Sequence, residues 1–236
     1  MPLTLDAKVT QEFDSSRSSD SQPPNTLAAA LARHGIELEE EQVALLDRFA
    51  TALWSWNEKL NLTRHTDYEK FVTRDVVDSQ WLERFLDSAE RVLDVGTGGG
   101  VPGVILAILR PDLEVSLCES IAKKARAVED IVQQVGLPIE VQHARAEELL
   151  VNHEYDTLVV RAVAPLEKLL AWFKPHWGSF HRLLVIKGPA WVQERAAAQE
   201  KKLLRGVRIN VLATYPLPGT ESESVVLEVR SSADRL

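Results

Sequence analysis

The chain has 236 residues, 45% hydrophobic and 26% charged, the balance of a globular protein long enough to bury a large core. Its 27 Lys and Arg against 35 Asp and Glu leave a formal net charge of −8, which argues against unspecific nucleic-acid coating while leaving room for one local basic face. No apolar run approaches the roughly 18 residues of a membrane span, the start lacks a secretory pattern, and the lone Cys118 excludes an internal disulfide framework, so a cytoplasmic location is expected.

Residues 1–25 are rich in Ser and Pro with few large apolar groups, and read as a disordered tail. Thr26 can cap a short helix from Leu27 to His34, stopped by Gly35. A longer helix follows from about Glu39 to Leu60, with Val43, Leu46, Phe49, Ala50, Leu53 and Trp54 recurring along one face. Asp67 opens a further amphipathic stretch to Leu86, so residues 26–88 form an N-terminal helical extension. From residue 89 to 236, short apolar runs alternate with helical segments. The expected strands are Arg91–Val95, Glu114–Cys118, Ile139–Gln142, Thr157–Val160, Leu183–Lys187, Arg208–Thr214 and Val225–Arg230. Helices are expected at Pro102–Leu109, Ile121–Val135, Ala146–Leu150, Pro165–Phe173 and Ala190–Leu204. This alternation predicts an α/β fold, a doubly wound parallel sheet closed by an antiparallel hairpin.

The sharpest signal is Asp94-Val95-Gly96-Thr97-Gly98-Gly99-Gly100-Val101-Pro102-Gly103, where the first strand hands over to the first helix. Five glycines in eight residues let the backbone turn tightly against a ligand. Gly98, Gly100 and Gly103 satisfy the dinucleotide spacing G-x-G-x-x-G, so a nicotinamide-dependent oxidoreductase has to be weighed. Against it, Gly96 and Thr97 intervene after the strand, Pro102 falls inside the pattern, and Asp94 would repel a pyrophosphate. The same acid would suit S-adenosylmethionine, which carries a sulfonium and an ammonium and no phosphate. Glu119 follows the second strand, 23 residues after Gly96, where a carboxylate can accept ribose hydroxyls. Ala146 and Glu147 follow the third strand, where an adenine would lie.

These residues, followed by Lys123-Lys124, Arg145-Ala146-Glu147, Arg161-Ala162 and Lys187-Gly188, and preceded by Trp56-Asn57, Leu60-Asn61-Leu62-Thr63 and Arg74 with Asp78-Ser79, resemble the glucose-inhibited division protein B family. That family methylates guanine N7 in 16S ribosomal RNA. The resemblance runs from about Trp54 to Lys187. It implies a class I S-adenosylmethionine-dependent methyltransferase, a Rossmann-like sheet with its last strand antiparallel. By that resemblance Gly96, Val101, Ala146, Glu147 and Arg161 bind S-adenosylmethionine, with Thr97, Gly98 and Glu119 beside them. The sequence departs from the family pattern in three places. Asp75 stands where a His usually follows Arg74; Ala127 and Val128 replace a Phe-Leu pair, suggesting looser packing; and the Arg-His usual near Glu221–Val225 is missing.

Guanine N7 carries a lone pair and no proton, so its methylation needs no general base, and no nucleophile–base pair stands out. For the partner, 16S ribosomal RNA or the small ribosomal subunit, the sequence offers two basic stretches. From Arg182 to Arg208 seven cations face only Glu194 and Glu200, and Lys123, Lys124 and Arg126 follow Glu119. Lys123, Lys124 and Lys187 are the RNA-binding candidates, with Trp172, Trp177 and Trp191 as possible stacking platforms. The six histidines are scattered and predict no metal site. No oligomer is implied. The sequence leaves open a methyltransferase acting on a small molecule or protein, which needs no basic face, and a non-catalytic RNA-binding module.

Overall fold

The structure, a computed structural model, describes residues 25–233. The tail expected over residues 1–25 therefore lies, apart from Asn25, outside the described residues. Seven strands form one sheet: β1 (Arg91–Val95), β2 (Glu114–Cys118), β3 (Glu140–Gln142), β4 (Tyr155–Arg161), β5 (Phe180–Lys187), β6 (Val207–Pro216) and β7 (Glu223–Ser231). Their order is β3-β2-β1-β4-β5-β7-β6. The first five are parallel, and β7 runs antiparallel between β5 and β6. The expected terminal hairpin is present, with its second strand inserted beside β5.

Period-two alternation divides the sheet into two cores. Val92, Val115, Leu117, Val159 and Leu184 face one side, where they meet α5 (Gly103–Leu109), α6 (Ala122–Val135) and the N-terminal helices. Leu93, Val95, Leu158, Val160, Leu183 and Val185 face the other, against α7 (Ala146–Leu149), α8 (Leu166–Phe173) and α9 (Trp191–Glu200). A parallel sheet covered on both faces needs strands that are apolar almost throughout, which is how β1, β4 and β5 read.

The N-terminal extension consists of α1 (Leu27–Arg33), α2 (Glu40–Asn57), α3 (Tyr68–Lys70) and α4 (Val77–Glu83). Thr26 caps α1 as expected, accepting a hydrogen bond from the Ala29 amide. The helix expected to run to Leu60 stops at Asn57, because the Asn57 side-chain oxygen accepts from the Leu62 and Thr63 amides and turns the chain. The single stretch expected from Asp67 to Leu86 is interrupted: Phe71–Val76 is wound as a π-helix, with the Val77 amide reaching back to the Val72 carbonyl. The helix expected to reach Leu204 ends at Glu200, where Lys202 adopts a left-handed φ of 58° and the Leu203 amide returns to Ala198. Ala127 and Val128 are completely buried, so that position is closely packed despite the smaller side chains.

Candidate functional site

A cavity of about 360 Å³ opens at the C-terminal ends of the parallel strands. Its wall takes Gly96–Gly99 from the loop after β1, Glu119–Ile121 after β2, Arg161–Val163 at the end of β4, and Lys124 on α6. The chain reverses direction across the sheet between β1 and β4, which is where open α/β sheets place their ligands. The extension closes one side with Leu53, Leu62, Thr63 and Asp75. Gly99 permits that closure, since a Cβ there would lie 2.8 Å from Leu53 Cδ1. A smaller pocket shares Gly96, Ser120 and Val163 with this cavity and is completed by Ala144, Arg145, Ala146, Glu147 and Trp172.

The glycine loop holds its own amides. Gly96 N and Thr97 N donate to the Cys118 carbonyl, at 2.9 and 3.1 Å. Gly98 N donates to Glu119 Oε2 at 3.1 Å, and Gly100 N and Val101 N return to Thr97 O. Gly103 N donates to Asp94 Oδ2 at 2.9 Å. A pyrophosphate site needs free amides converging on the anion. Here the amides of Gly96, Thr97, Gly98, Gly100, Val101 and Gly103 are engaged, and a carboxylate already sits on Gly98. Glu119 also accepts from Ile121 N at 2.8 Å, so both its oxygens are anchored while the group lines the cavity.

Asp94 does not do what the sequence suggested. It is buried on the α5 side of the sheet, and Oδ2 accepts from Thr97 Oγ1 at 2.6 Å as well as from Gly103 N. It is absent from the cavity lining. Burial pushes its pKa up to about 6, against the opposing pull of those hydrogen bonds. Asp94 ties the loop to the first turn of α5, and the acid that disfavours a phosphate is Glu119.

Sequence reasoning missed the ionic network beneath the cavity. Arg161, at the end of β4, pairs with Asp75 Oδ1 through Nη2 at 2.6 Å and with Asp78 Oδ2 through Nε at 3.0 Å. His65 Nδ1 contacts the same Asp75 oxygen at 2.9 Å, and the Tyr215 hydroxyl donates to Asp78 Oδ1 at 2.7 Å. Burial works against the Arg161 charge, but the two aspartates more than offset it and its pKa is raised. For Asp78 burial wins over Arg161 and Tyr215, and the pKa is raised. The signal was present: two acids three residues apart inside an apolar helical stretch need a buried cation.

The fold resembles solved methyltransferases. It aligns with TrmK of M. capricolum in complex with S-adenosyl-homocysteine at a TM-score of 0.53 and 12% identity, over 67% of this chain and 70% of that one. A methyltransferase from Pyrococcus furiosus aligns at 0.54 and 12%, over 68% and 84%. In sequence, the ribosomal RNA small subunit methyltransferase G of Rhodopirellula baltica is 44% identical over 205 residues, 87% of this chain and 89% of its own length. That of Chromobacterium violaceum is 33% identical over 198 residues, 84% and 92%. The profile of GidB, described as rRNA small subunit methyltransferase G, matches residues 42–215. The chain belongs to the rRNA small subunit methyltransferase G family.

Within this member of the family, Gly96, Thr97, Gly98, Val101, Glu119 and Arg161 line the main cavity, and Ala146 and Glu147 the adjoining pocket. The eight candidates thus line two adjoining pockets that share Gly96, Ser120 and Val163. The RNA candidates separate. Lys123 is exposed on α6 and Lys124 lines the cavity. Lys187 is already engaged: its Nζ donates to the Ala164 carbonyl at 2.6 Å and pairs with Glu194 at 2.8 Å, with the side chain only 10% exposed. The basic stretch around it also loses force, because Arg182 is buried against Glu90 and Lys201 pairs with Glu167. Trp172 lines the smaller pocket, while Trp177 packs against Phe180. Among the described residues no group of His, Cys, Asp and Glu could hold a metal, and no helix is long and apolar enough to cross a membrane.

Proposed function

We propose that this chain transfers a methyl group from S-adenosylmethionine to N7 of a guanine in 16S ribosomal RNA. The observation that carries this reading is the cleft itself: a glycine loop whose amides are held by Cys118 and Glu119, which favours an adenosine ligand without phosphates. Bound there, S-adenosylmethionine supplies an electrophilic methyl group on a sulfonium sulfur. In this reading Glu119 accepts the ribose hydroxyls, Ala146 and Glu147 border the adenine, and Gly96, Thr97, Gly98, Val101 and Arg161 hold the rest of the donor. Buried unpartnered atoms fit such a ligand: Arg161 Nη1 and Asp75 Oδ2 have no hydrogen-bond partner among the described residues.

Guanine N7 presents a lone pair, so the protein has no proton to remove from the reacting atom. Its work is to hold the base in line and keep water out. Leu53, Leu62 and Val101 supply the apolar wall for that, and Lys123 and Lys124 on α6 meet the phosphates of the RNA. An enzyme with this substrate works beside ribosomes in the cytoplasm.

The test is incubation of the purified protein with methyl-labelled S-adenosylmethionine and small ribosomal subunits lacking the modification, followed by digestion to nucleosides. Label in 7-methylguanosine is expected. Donor binding without label in RNA would point to a small molecule or protein as acceptor, and binding of NAD(H) in place of the donor would sink the reading.

A further inference from the structure

Asp75 has one oxygen fully engaged and one without a partner. Oδ1 receives both His65 Nδ1 and Arg161 Nη2, at 2.9 and 2.6 Å. Oδ2 is buried and has no hydrogen-bond partner among the described residues, although Asp75 is only 2% exposed and lines the cavity. An unpartnered carboxylate oxygen at such depth is costly unless something else completes it. On the neighbouring guanidinium, Arg161 Nη1 is likewise buried and without an acceptor. An orphaned acceptor and an orphaned donor on one ion pair, in the wall of one cavity, form a receptor for a zwitterion. They match an α-amino acid, whose ammonium seeks the acceptor and whose carboxylate seeks the donor.

We infer that Asp75 binds the α-ammonium group of the methyl donor's amino-acid moiety through Oδ2, with Arg161 Nη1 taking the α-carboxylate. This deepens the donor reading above and rests on it. The surroundings agree. Asp75 belongs to the π-wound segment Phe71–Val76, a form of helix frequent at functional sites. Its side chain is fixed from two directions, by His65 and by Arg161, so it is held in place before a ligand arrives. Asp78 takes the remaining charge of Arg161 through Nε, leaving the Asp75 oxygen free to face a second cation. Glu119, the other acid in the cavity wall, has both oxygens tied to loop amides and suits neutral hydroxyls better.

The experiment compares two ligands by calorimetry: S-adenosylhomocysteine, and its analogue with the α-ammonium replaced by hydrogen. The wild-type chain should prefer S-adenosylhomocysteine by about 10- to 100-fold, the range for one hydrogen bond between charged groups. Asp75→Asn should weaken S-adenosylhomocysteine alone and reduce the preference to a few-fold. Equal wild-type affinity for the two ligands would overturn the assignment, and so would a preference that survives Asp75→Asn or a variant that weakens both ligands alike. Should Asp75→Asn not fold, His65→Gln takes its place. His65 is partly exposed and restrains the same carboxylate, so its removal should lower the preference, and an unchanged preference would overturn the assignment. A wild-type chain that binds neither ligand would defeat the donor reading itself, an outcome distinct from all of these.

Discussion

Gly103 and Gly98 lie in the same loop and should respond to alanine for opposite reasons. Gly103 opens α5 with its amide on Asp94, and a Cβ there would sit 2.2 Å from Leu117 Cδ2 and 2.8 Å from both Cβ and Oδ2 of Asp94. Carbons in contact normally stand about 3.5–4.0 Å apart. Neither neighbour can retreat easily: Leu117 is completely buried, and Asp94 and Leu117 are directly paired in register between β1 and β2. The helix must lift away. That overpacks the core at about 1–3 kcal/mol, and it stretches a hydrogen bond to a charged group worth about 1.5–3 kcal/mol. Gly103→Ala should therefore cost about 3 kcal/mol or more. At Gly98 the nearest atom to an added Cβ would be 3.9 Å away, so space is no obstacle, but φ is +61°. The left-handed conformation costs a residue with a Cβ about 1–2 kcal/mol. Urea denaturation of the two variants measures the difference, and titration with S-adenosylhomocysteine shows whether the loop still binds. Gly103→Ala should lose stability and binding together, because Asp94 ties α5 to Thr97. If Gly103→Ala were no less stable than Gly98→Ala, the packing around Asp94 would be wrong.

Three further outcomes follow from the same geometry. Lys187→Ala should destabilise the protein by about 2 kcal/mol, since it leaves the Ala164 carbonyl without its partner and Glu194 with only the Leu166 amide; unchanged stability in urea with weakened RNA binding would restore the lysine as an RNA contact. Asp94 has its folded pKa raised from 3.8 to about 6, so its contribution is greatest at pH below 3.8 and is lost as pH rises through 6. The stability of wild type relative to Asp94→Asn should accordingly grow by about 3 kcal/mol between about pH 7 and pH 3.5, and a flat difference across that range would show that the carboxylate is not desolvated. Lys123→Ala should leave S-adenosylhomocysteine affinity unchanged and reduce the slope of log RNA affinity against log salt by about 1, and an unaltered slope would remove Lys123 from the interface.

The strands were legible because a parallel sheet buried on both faces demands apolar runs, and β1 and β2 have the expected limits to the residue. Helix ends were less legible, because they depend on distant or unusual partners: Asn57 reaching five residues ahead, and Lys202 turning left-handed. The loop's glycines announced a ligand, but the role of its acids depends on strand parity. Asp94 lies two residues after Val92 and so points to the same side, beneath α5, whereas Glu119 follows the last residue of β2 and folds over the loop. That parity is legible in the sequence, since alternate strand residues share a face. The network of His65, Asp75, Asp78, Arg161 and Tyr215 was not available in that way. It joins four separate segments, and only the folded chain reveals that the two helical acids share one strand-end arginine.

The position of Glu119 also explains how a loop with dinucleotide spacing can discriminate against dinucleotides. A phosphate at the loop would have to displace the Glu119 carboxylate from Gly98 N. It would then lie beside a buried acid, in surroundings where charge repulsion is little screened. A ligand that needs hydroxyl acceptors meets no such barrier, because Glu119 keeps unused lone pairs while its backbone bonds stay intact. Discrimination is thus built before any ligand arrives. It resides in the acid that occupies the Gly98 amide and not in the glycines, whose spacing alone fits either class of ligand.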